Sequence, residues 1–186
     1  MVEMDVLKDL LVEALLGEVT VLNGRRCAVL KESGTDAKLK RVDIYDIPDG
    51  SLLLNLDKYE QPKSLFRDEK GQRQRCDYVL ITKVENRKFL LFIEMKSSKL
   101  KNTEIQKQFK GAECVIDYCN AALTRFHDQS DLLKKLEKRF VVFYKPHSIP
   151  KRSTRPATPS SKNDTPEKAY RYASPINPSL KSLVKL

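Results

Sequence analysis

The sequence predicts an α/β protein, because short apolar segments typical of strands alternate with segments that have the roughly 3.6-residue period of a helix. Two such runs, 78–84 and 89–95, are rich in Val, Ile and Phe and flank a polar turn, which is typical of a β-hairpin. An amphipathic helix is predicted at 103–126, and 139–145 has the composition of another strand. With 186 residues, the chain can bury a sizeable core.

The N-terminal part is predicted to contain one helix and several strands. Residues 3–16 have apolar side chains at helical spacing, and a glycine follows them. Residues 26–30 form a short predicted strand. Residues 41–47 and 51–56 are predicted to form a second hairpin around a Pro-Asp-Gly turn. A polar stretch at 59–75 then leads into the central hairpin.

The central hairpin is expected to bring three charged side chains together. With a two-residue turn at Glu85-Asn86, the strands pair outward until Asp77 lies directly opposite Glu94. Lys96 projects from the same face as Glu94, because side chains alternate along a strand. The sequence therefore predicts two carboxylates and an ammonium at one end of an apolar hairpin.

Two carboxylates placed opposite each other repel, so this arrangement needs a neutralising partner. Mg²⁺ prefers oxygen ligands and is usually held by one or two carboxylates together with waters and a phosphate. We expect Asp77 and Glu94 to hold Mg²⁺, with the Met95 carbonyl assisting and Mn²⁺ able to substitute. Lys96 could orient the attacking water, take its proton if the pKa of Lys96 is depressed, or hold the phosphate. The alternative is an ordinary strand-end cluster in which Lys96 neutralises Glu94.

Asp77 followed by Glu94-Met95-Lys96 on the next strand resembles the core of the PD-(D/E)xK nuclease superfamily. The resemblance covers residues 1–145, and Cys76 stands where the family usually has proline before the first acid. It implies the order helix, three strands, helix, strand. The implied fold is a restriction-endonuclease-like three-layer core, with a central mixed β-sheet flanked by helices.

The resemblance implies two further contributions to the site. Relatives often place a glutamine in the first turns of the helix after the motif, where Gln106 and Gln108 are the candidates. Gln106 already has an expected role as the partner of Thr103 in a capping box, so we favour Gln108 as the catalytic glutamine. Relatives often add a glutamate from the first helix to the metal site. Glu3 and Glu13 both qualify, and we favour Glu13.

Residues 146–186 are predicted to be a basic extension of the domain at 1–145. Residues 145–186 hold nine Lys or Arg against two acidic residues, and the run at 153–161 is rich in Pro, Ser and Thr. Such a tail can bind nucleic acid without sequence preference or can simply add solubility. Residues 169–186 regain apolar side chains and could dock as a strand or helix. The predicted nucleic-acid-binding residues are Arg75, Lys99, Lys101, Lys151, Arg152 and Arg155.

Several classes of protein are not supported by the sequence. The four cysteines lack a C-x-x-C pair, the two histidines are far apart, and there is no Gly-rich phosphate loop. No apolar run approaches the length of a membrane span, and no secretory signal is visible. We therefore expect an intracellular, cytoplasmic and nucleic-acid-associated protein without a membrane or nucleotide-cofactor requirement.

The function expected from this pattern is a Mg²⁺-dependent deoxyribonuclease, acting as an endonuclease with DNA as its partner. Nucleases of this kind often cut as dimers, since one active site hydrolyses one strand, so we expect a homodimer or larger assembly. Two alternatives stay open. One is a non-catalytic nucleic-acid-binding or assembly subunit that keeps the fold, and the other is a nuclease acting on RNA.

Overall fold

The computed structural model describes residues 2–32, 37–59, 67, 69–97, 101–146, 162–173 and 177–184. Its helices and strands, in chain order, are α1 (Val2–Leu10), β1 (Glu18–Leu22), β2 (Arg25–Lys31), β3 (Arg41–Tyr45), β4 (Leu52–Asn55), β5 (Tyr78–Val84), β6 (Arg87–Lys96), α2 (Asn102–Phe126), β7 (Glu137–Tyr144), β8 (Tyr170–Ala173) and α3 (Leu180–Val184). Short 3₁₀ helices occur at Glu13–Leu15, Leu56–Lys58 and Pro166–Lys168.

A five-stranded mixed sheet lies at the centre of the fold, in the order β4-β5-β6-β7-β8. The pairs β4–β5 and β5–β6 are antiparallel, whereas β6–β7 and β7–β8 are parallel. The parallel pairing of β6 with β7 requires a long crossover, which α2 provides with its 25 residues. Strands β5 and β6 are buried on both faces, which explains their nearly continuous apolar sequence.

Helices α1 and α2 cover one face of this sheet. Leu7 of α1 and Phe109 of α2 are fully buried against Val79, Phe92 and Phe140 of the sheet. The rings of Phe92 and Phe140 stack with centroids 5.0 Å apart, and Phe109 meets Phe140 edge-on at 5.1 Å. These aromatic contacts fix the height of α2 above the strands.

A three-stranded antiparallel sheet, in the order β1-β2-β3, covers the opposite face together with α3. Ile44 and Leu183 pack there against Leu91 of the central sheet. The Tyr78 hydroxyl joins the two sheets, since it accepts a hydrogen bond from the Lys31 N–H at 2.9 Å and donates one to the Lys31 carbonyl at 2.7 Å. The α/β class and the mixed central sheet are confirmed. Helices alone do not flank that sheet, however, because a second sheet forms much of the third layer.

The predicted second hairpin is wrong. Strand β3 pairs with β2 in the small sheet, whereas β4 pairs with β5 in the central sheet, so the Pro-Asp-Gly turn carries the chain from one layer to the other. The first helix is also shorter than predicted and ends at Leu10. Gly17 donates to the Leu53 carbonyl at 2.8 Å, and Leu16 forms a bridge with Leu54, so the chain is already extended along β4 there.

The described parts of the C-terminal region pack with the rest of the fold. Strand β8 extends the central sheet beside β7, and Leu180, Leu183 and Val184 of α3 are buried. Arg139 is 2% exposed and donates to the Val184 carbonyl at 2.9 Å. The Asn163 amide donates to the carbonyls of Phe140 and Leu183, each at 3.1 Å. Residues 162–173 and 177–184 are therefore tied to β7 by buried polar contacts.

A close contact between α2 and the segment before β5 depends on glycine. A Cβ atom built on Gly111 would lie 1.7 Å from the carbonyl oxygen of Gln74, a distance that no packed structure tolerates. Glycine therefore lets the chain at Gln74 pass directly against α2. Since Asp77 follows three residues later, the same contact helps to position the start of β5.

Replacing Gly111 with Ala should destabilise the protein, although Ala is the better helix former by about 1 kcal/mol. The added methyl group must displace α2 or the backbone at Gln74, at a cost of roughly 1–3 kcal/mol or more. Chemical denaturation measures this loss. The exposed substitution Asp117→Ala on the same helix is the control and should stay within about 0.5 kcal/mol of wild type. A Gly111→Ala protein as stable as wild type would contradict the close contact.

Candidate active site

The register of the central hairpin agrees with the prediction. Val84 pairs with Arg87 and Tyr78 with Ile93, so the next step of the antiparallel ladder sets Asp77 opposite Glu94. Side chains alternate along β6, and Phe92 lies in the core beneath α2. Glu94 and Lys96 therefore project towards α2, at the edge of the sheet where β6 ends.

Asp77 is fixed by hydrogen bonds to two neighbouring segments. Its Oδ2 accepts from the Met95 N–H at 2.5 Å, and its backbone carbonyl accepts from the Leu56 N–H at 2.7 Å. The first contact links Asp77 to β6, and the second links it to the 3₁₀ helix Leu56–Lys58. Met95 thus donates its N–H to Asp77, and ligation of a metal ion by the Met95 carbonyl stays a prediction.

Glu94 is the most deeply buried acid of the site, with 0% of the residue exposed. The Lys96 ammonium forms an ion pair with one of its oxygens. Even so, neither Glu94 oxygen has a partner with good hydrogen-bond geometry in the described part of the chain, and the same holds for Oε1 of Gln108. A buried polar atom without a partner costs about 1–3 kcal/mol, and more when charged. The described residues therefore do not use the full acceptor capacity of these atoms.

Burial raises the pKa of both carboxyl groups. Burial raises the pKa of Glu94 to about 7, although Lys96 and the Gln108 amide act in the opposite direction. Burial first, and then the charge of Glu94, raise the pKa of Asp77 well above its usual range. Both shifts show that this pocket disfavours two negative charges unless a cation joins them.

Lys96 is held as an ammonium in this arrangement. Burial alone would lower its pKa, but the charges of Glu94, Asp77 and Glu104 outweigh burial, so the pKa of Lys96 is raised. The predicted role as a proton acceptor depended on a depressed pKa, which the observed surroundings do not produce. The arrangement therefore favours the roles in which Lys96 orients water or holds a phosphate.

The two candidate glutamines both lie on α2 but have different surroundings. Gln108 is half-buried beside Glu94, where its amide lowers the pKa of that acid. Gln106 instead lines a small hollow together with Asn102 and Arg171. The predicted capping box is absent, because α2 begins at Asn102 after Lys101 and has no side-chain cap. Gln108 is thus the glutamine that the fold brings to the acidic pair.

Of the two first-helix candidates, Glu13 is not assembled with the pair. Glu13 is exposed in a 3₁₀ helix outside α1, and the side chain of Glu3 lies outside the described residues. Across the described ranges, no group of three or more His, Cys, Asp or Glu side chains could hold a metal ion. The predicted set that combined Glu13 with Asp77 and Glu94 is therefore not formed. Two carboxylates are left as candidate metal ligands.

The predicted DNA-binding residues differ in their surroundings. Arg75 is half-buried, its Nε donates to the Leu56 carbonyl at 2.5 Å, and its guanidinium lies over the Tyr59 ring. It therefore also braces the segment that holds Asp77. Lys101 is exposed beside Glu104, with an ion-pair distance of 3.0 Å. Four other predicted contacts lie outside the described residues, namely Lys99, Lys151, Arg152 and Arg155.

Two residues near the site were not predicted from the sequence. The charge of Asp57 contributes to raising the pKa of both Asp77 and Glu94, so this acid lies within electrostatic range of the pair. Asn55 accepts a hydrogen bond from the Asp57 N–H at 3.1 Å, and an Asn two residues before an acid is the turn pattern that could have identified it. Cys76 is fully buried next to the pair, and burial raises the pKa of its thiol.

Comparisons of the chain with protein-family models, with curated proteins and with solved structures found no match. No helix in the described ranges is long and apolar enough to cross a membrane.

Metal-free protein should lose stability as the pH rises from about 4.5 to about 7, because the folded-state pKa of Glu94 is raised from 4.5 to about 7. Between these values the folded state binds more protons than the unfolded state, so deprotonation favours unfolding. Glu94→Gln should remove up to roughly 3 kcal/mol of this pH dependence. Urea denaturation in EDTA at several pH values measures it.

The exposed substitution Glu85→Gln is the control and should keep the wild-type slope of stability against pH. Parallel curves for wild type and Glu94→Gln would show that Glu94 does not titrate in this range.

Proposed function

We propose that the protein is a Mg²⁺-dependent deoxyribonuclease, an endonuclease that hydrolyses phosphodiester bonds at Asp77, Glu94 and Lys96. One observation carries the proposal. Glu94 is 0% exposed, stands opposite Asp77, and has no good hydrogen-bond partner for either carboxylate oxygen among the described residues. A structural ion pair alone would leave these acceptors poorly satisfied.

The donor set fits a hard divalent cation. Mg²⁺ prefers carboxylate oxygens and needs only one or two of them, since waters and a substrate phosphate fill its other positions. Glu94 offers two oxygens, and Asp77 offers the oxygen that does not accept from Met95. The Met95 carbonyl is a further predicted ligand, and Mn²⁺ should be able to substitute for Mg²⁺.

The side chains around Asp77 and Glu94 would have distinct roles in hydrolysis. A bound metal would lower the pKa of its water and stabilise negative charge on the phosphoryl oxygen. Lys96, held as an ammonium at the partly exposed rim, would bind the scissile phosphate. The buried Oε1 of Gln108 is an acceptor that would orient the attacking water. Helix α2 would keep bulk water away from the acidic pair.

The ion pair between Lys96 and Glu94 also favours a second candidate function. A non-catalytic nucleic-acid-binding or assembly subunit could keep this pair as a purely structural contact. Such a protein would bind DNA in a salt-sensitive way, without metal, and regardless of Glu94. An RNA nuclease would share the site chemistry and differ in substrate. Cutting both DNA strands would require two sites, which supports a proposed homodimer or larger assembly.

Substitution of the site residues should abolish cleavage. We expect wild type to cut DNA in Mg²⁺ or Mn²⁺ and to be inactive in EDTA. Glu94→Ala and Lys96→Ala should each lower the rate by roughly 100-fold or more, since loss of even an outer partner of a metal site costs 10–100-fold. Circular, linear, single-stranded and branched DNA, together with RNA, form the substrate panel.

Glu85→Ala and Lys83→Ala are the matched controls, because both residues are exposed on the same hairpin. Both should cut like wild type. Absence of cutting on every substrate, with DNA binding unaffected by Glu94→Ala, would favour the binding subunit instead. Cleavage of RNA alone would keep the site and change the substrate.

Mg²⁺ should also stabilise the folded protein, because an ion that binds only the folded state raises its apparent stability. Thermal unfolding with and without Mg²⁺ measures the effect. The midpoint should rise for wild type and for Glu85→Ala but stay unchanged for Glu94→Ala. An equal rise in all three proteins would place the ion elsewhere.

A further inference from the structure

Strand β8 carries a basic side chain on the same row of the sheet as the acidic pair. Glu94 on β6 is in register with Val142 on β7, and Val142 is in register with Arg171 on β8. Residues in register share a face, and Val142 lies in the core beneath α2. Arg171 therefore projects from the face that carries Glu94, two strand spacings or roughly 10 Å away.

Among the described residues, no carboxylate compensates the charge of Arg171. The residue is exposed on the edge strand, and its guanidinium donates to the side-chain oxygen of Asn102, the first residue of α2. Arg171 makes no ion pair with a carboxylate of the described residues. Glu167, the acid that lines the same hollow, is paired with Lys110 at 3.3 Å.

A guanidinium in this state is suited to binding a phosphate. It has five N–H donors, of which the Asn102 contact uses one. Contact with a neutral amide fixes the position of the group without neutralising it. The planar fork of Arg can then bind two oxygens of one phosphate at once, which a lysine ammonium cannot match.

The negative charge of Asp77 and Glu94 means that a nucleic acid could bind here only with a cation such as Arg171 nearby. Asp77 and Glu94 repel a polyanion, and the Lys96 ammonium is already paired with Glu94. A nucleic acid that approaches this edge of the sheet needs cations beside the acidic pair, and phosphate contacts supply most of the affinity of non-specific binding. Arg171 offers a positive charge at the correct face and height.

We propose that Arg171 binds a backbone phosphate of the DNA strand adjacent to the scissile bond, so that β8 contributes to the substrate site. This inference rests on the proposed nuclease function. A phosphate contact at Arg171 would also give the C-terminal region a function, because the buried contacts of Arg139 and Asn163 hold that region against β7. The region would then place Arg171 rather than merely adding positive charge.

The test measures DNA binding in EDTA, where no cleavage occurs, with fluorescein-labelled short duplex and single-stranded DNA. Arg171→Ala should weaken binding about fivefold to tenfold near 0.1 M salt and reduce the slope of log K against log salt by about one. Lys168→Ala removes the same charge from an exposed residue of the same region and is the matched control. Its binding should stay within about twofold of wild type.

A charge-retaining variant separates a phosphate contact from a general charge effect. Arg171→Lys should keep most of the salt slope but raise KM in the Mg²⁺-dependent cleavage assay, because the paired donors are lost. Thermal unfolding shows whether each variant folds. If Arg171→Ala does not fold, Arg171→Gln, which can still bond to Asn102, replaces it with the same expected loss of binding.

Equal binding by the Arg171 variant and Lys168→Ala would overturn the inference. If Glu94→Ala still abolishes cleavage in that case, the nuclease proposal stands and Arg171 is a surface residue. If no substrate is cut under any condition, the proposed function fails, and with it the placement of Arg171 beside a scissile bond.

Discussion

The antiparallel pairing of β5 with β6 determines the geometry of the whole site. It sets Asp77 across from Glu94 at the end of a hairpin that is buried on both faces. Both acids are held in place, because Asp77 is hydrogen-bonded to Met95 and Leu56 while Glu94 is buried under α2. The pairing therefore creates a concentration of negative charge that the apolar surroundings cannot neutralise, and Lys96 offsets only part of it.

The remaining layers hold this charged edge in place. The aromatic stack beneath α2 sets the height of the helix that carries Gln108, and Gly111 allows the chain before β5 to pass directly against that helix. On the other face, the small sheet and α3 shield the strands from water. Strand β8 widens the central sheet and brings Arg171 to the same row as Glu94. The fold thus places the two acids at the end of the hairpin, with Lys96 beside Glu94 and Arg171 farther along the same row.

Local sequence patterns predicted the β5–β6 hairpin, but they did not predict the partners of β3 and β4. The turn at Glu85-Asn86 and the alternation of apolar residues determine the register within one short segment, so the Asp77–Glu94 pair followed from sequence alone. The partners of β3 and β4 depend on distant strands, and a Pro-Asp-Gly turn suits a change of sheet as well as a hairpin. The dipeptide Asn23-Gly24, where both residues have positive φ, is a local sequence sign of the β1–β2 hairpin. The burial of both Glu94 oxygens depends on where α2 packs, which no local pattern specifies.

The proposed nuclease activity requires that Asp77 and Glu94 together bind a divalent cation. The most direct measurement is a titration of the full-length, metal-free protein with Mn²⁺, followed by electron paramagnetic resonance of the free ion. We predict a saturable site in wild type and in Glu85→Gln that is lost in both Asp77→Asn and Glu94→Gln, provided that circular dichroism shows the variants folded. Saturable binding that survives both substitutions, or its absence in wild type, would contradict a metal site at Asp77 and Glu94 and leave the Glu94–Lys96 ion pair as a structural contact.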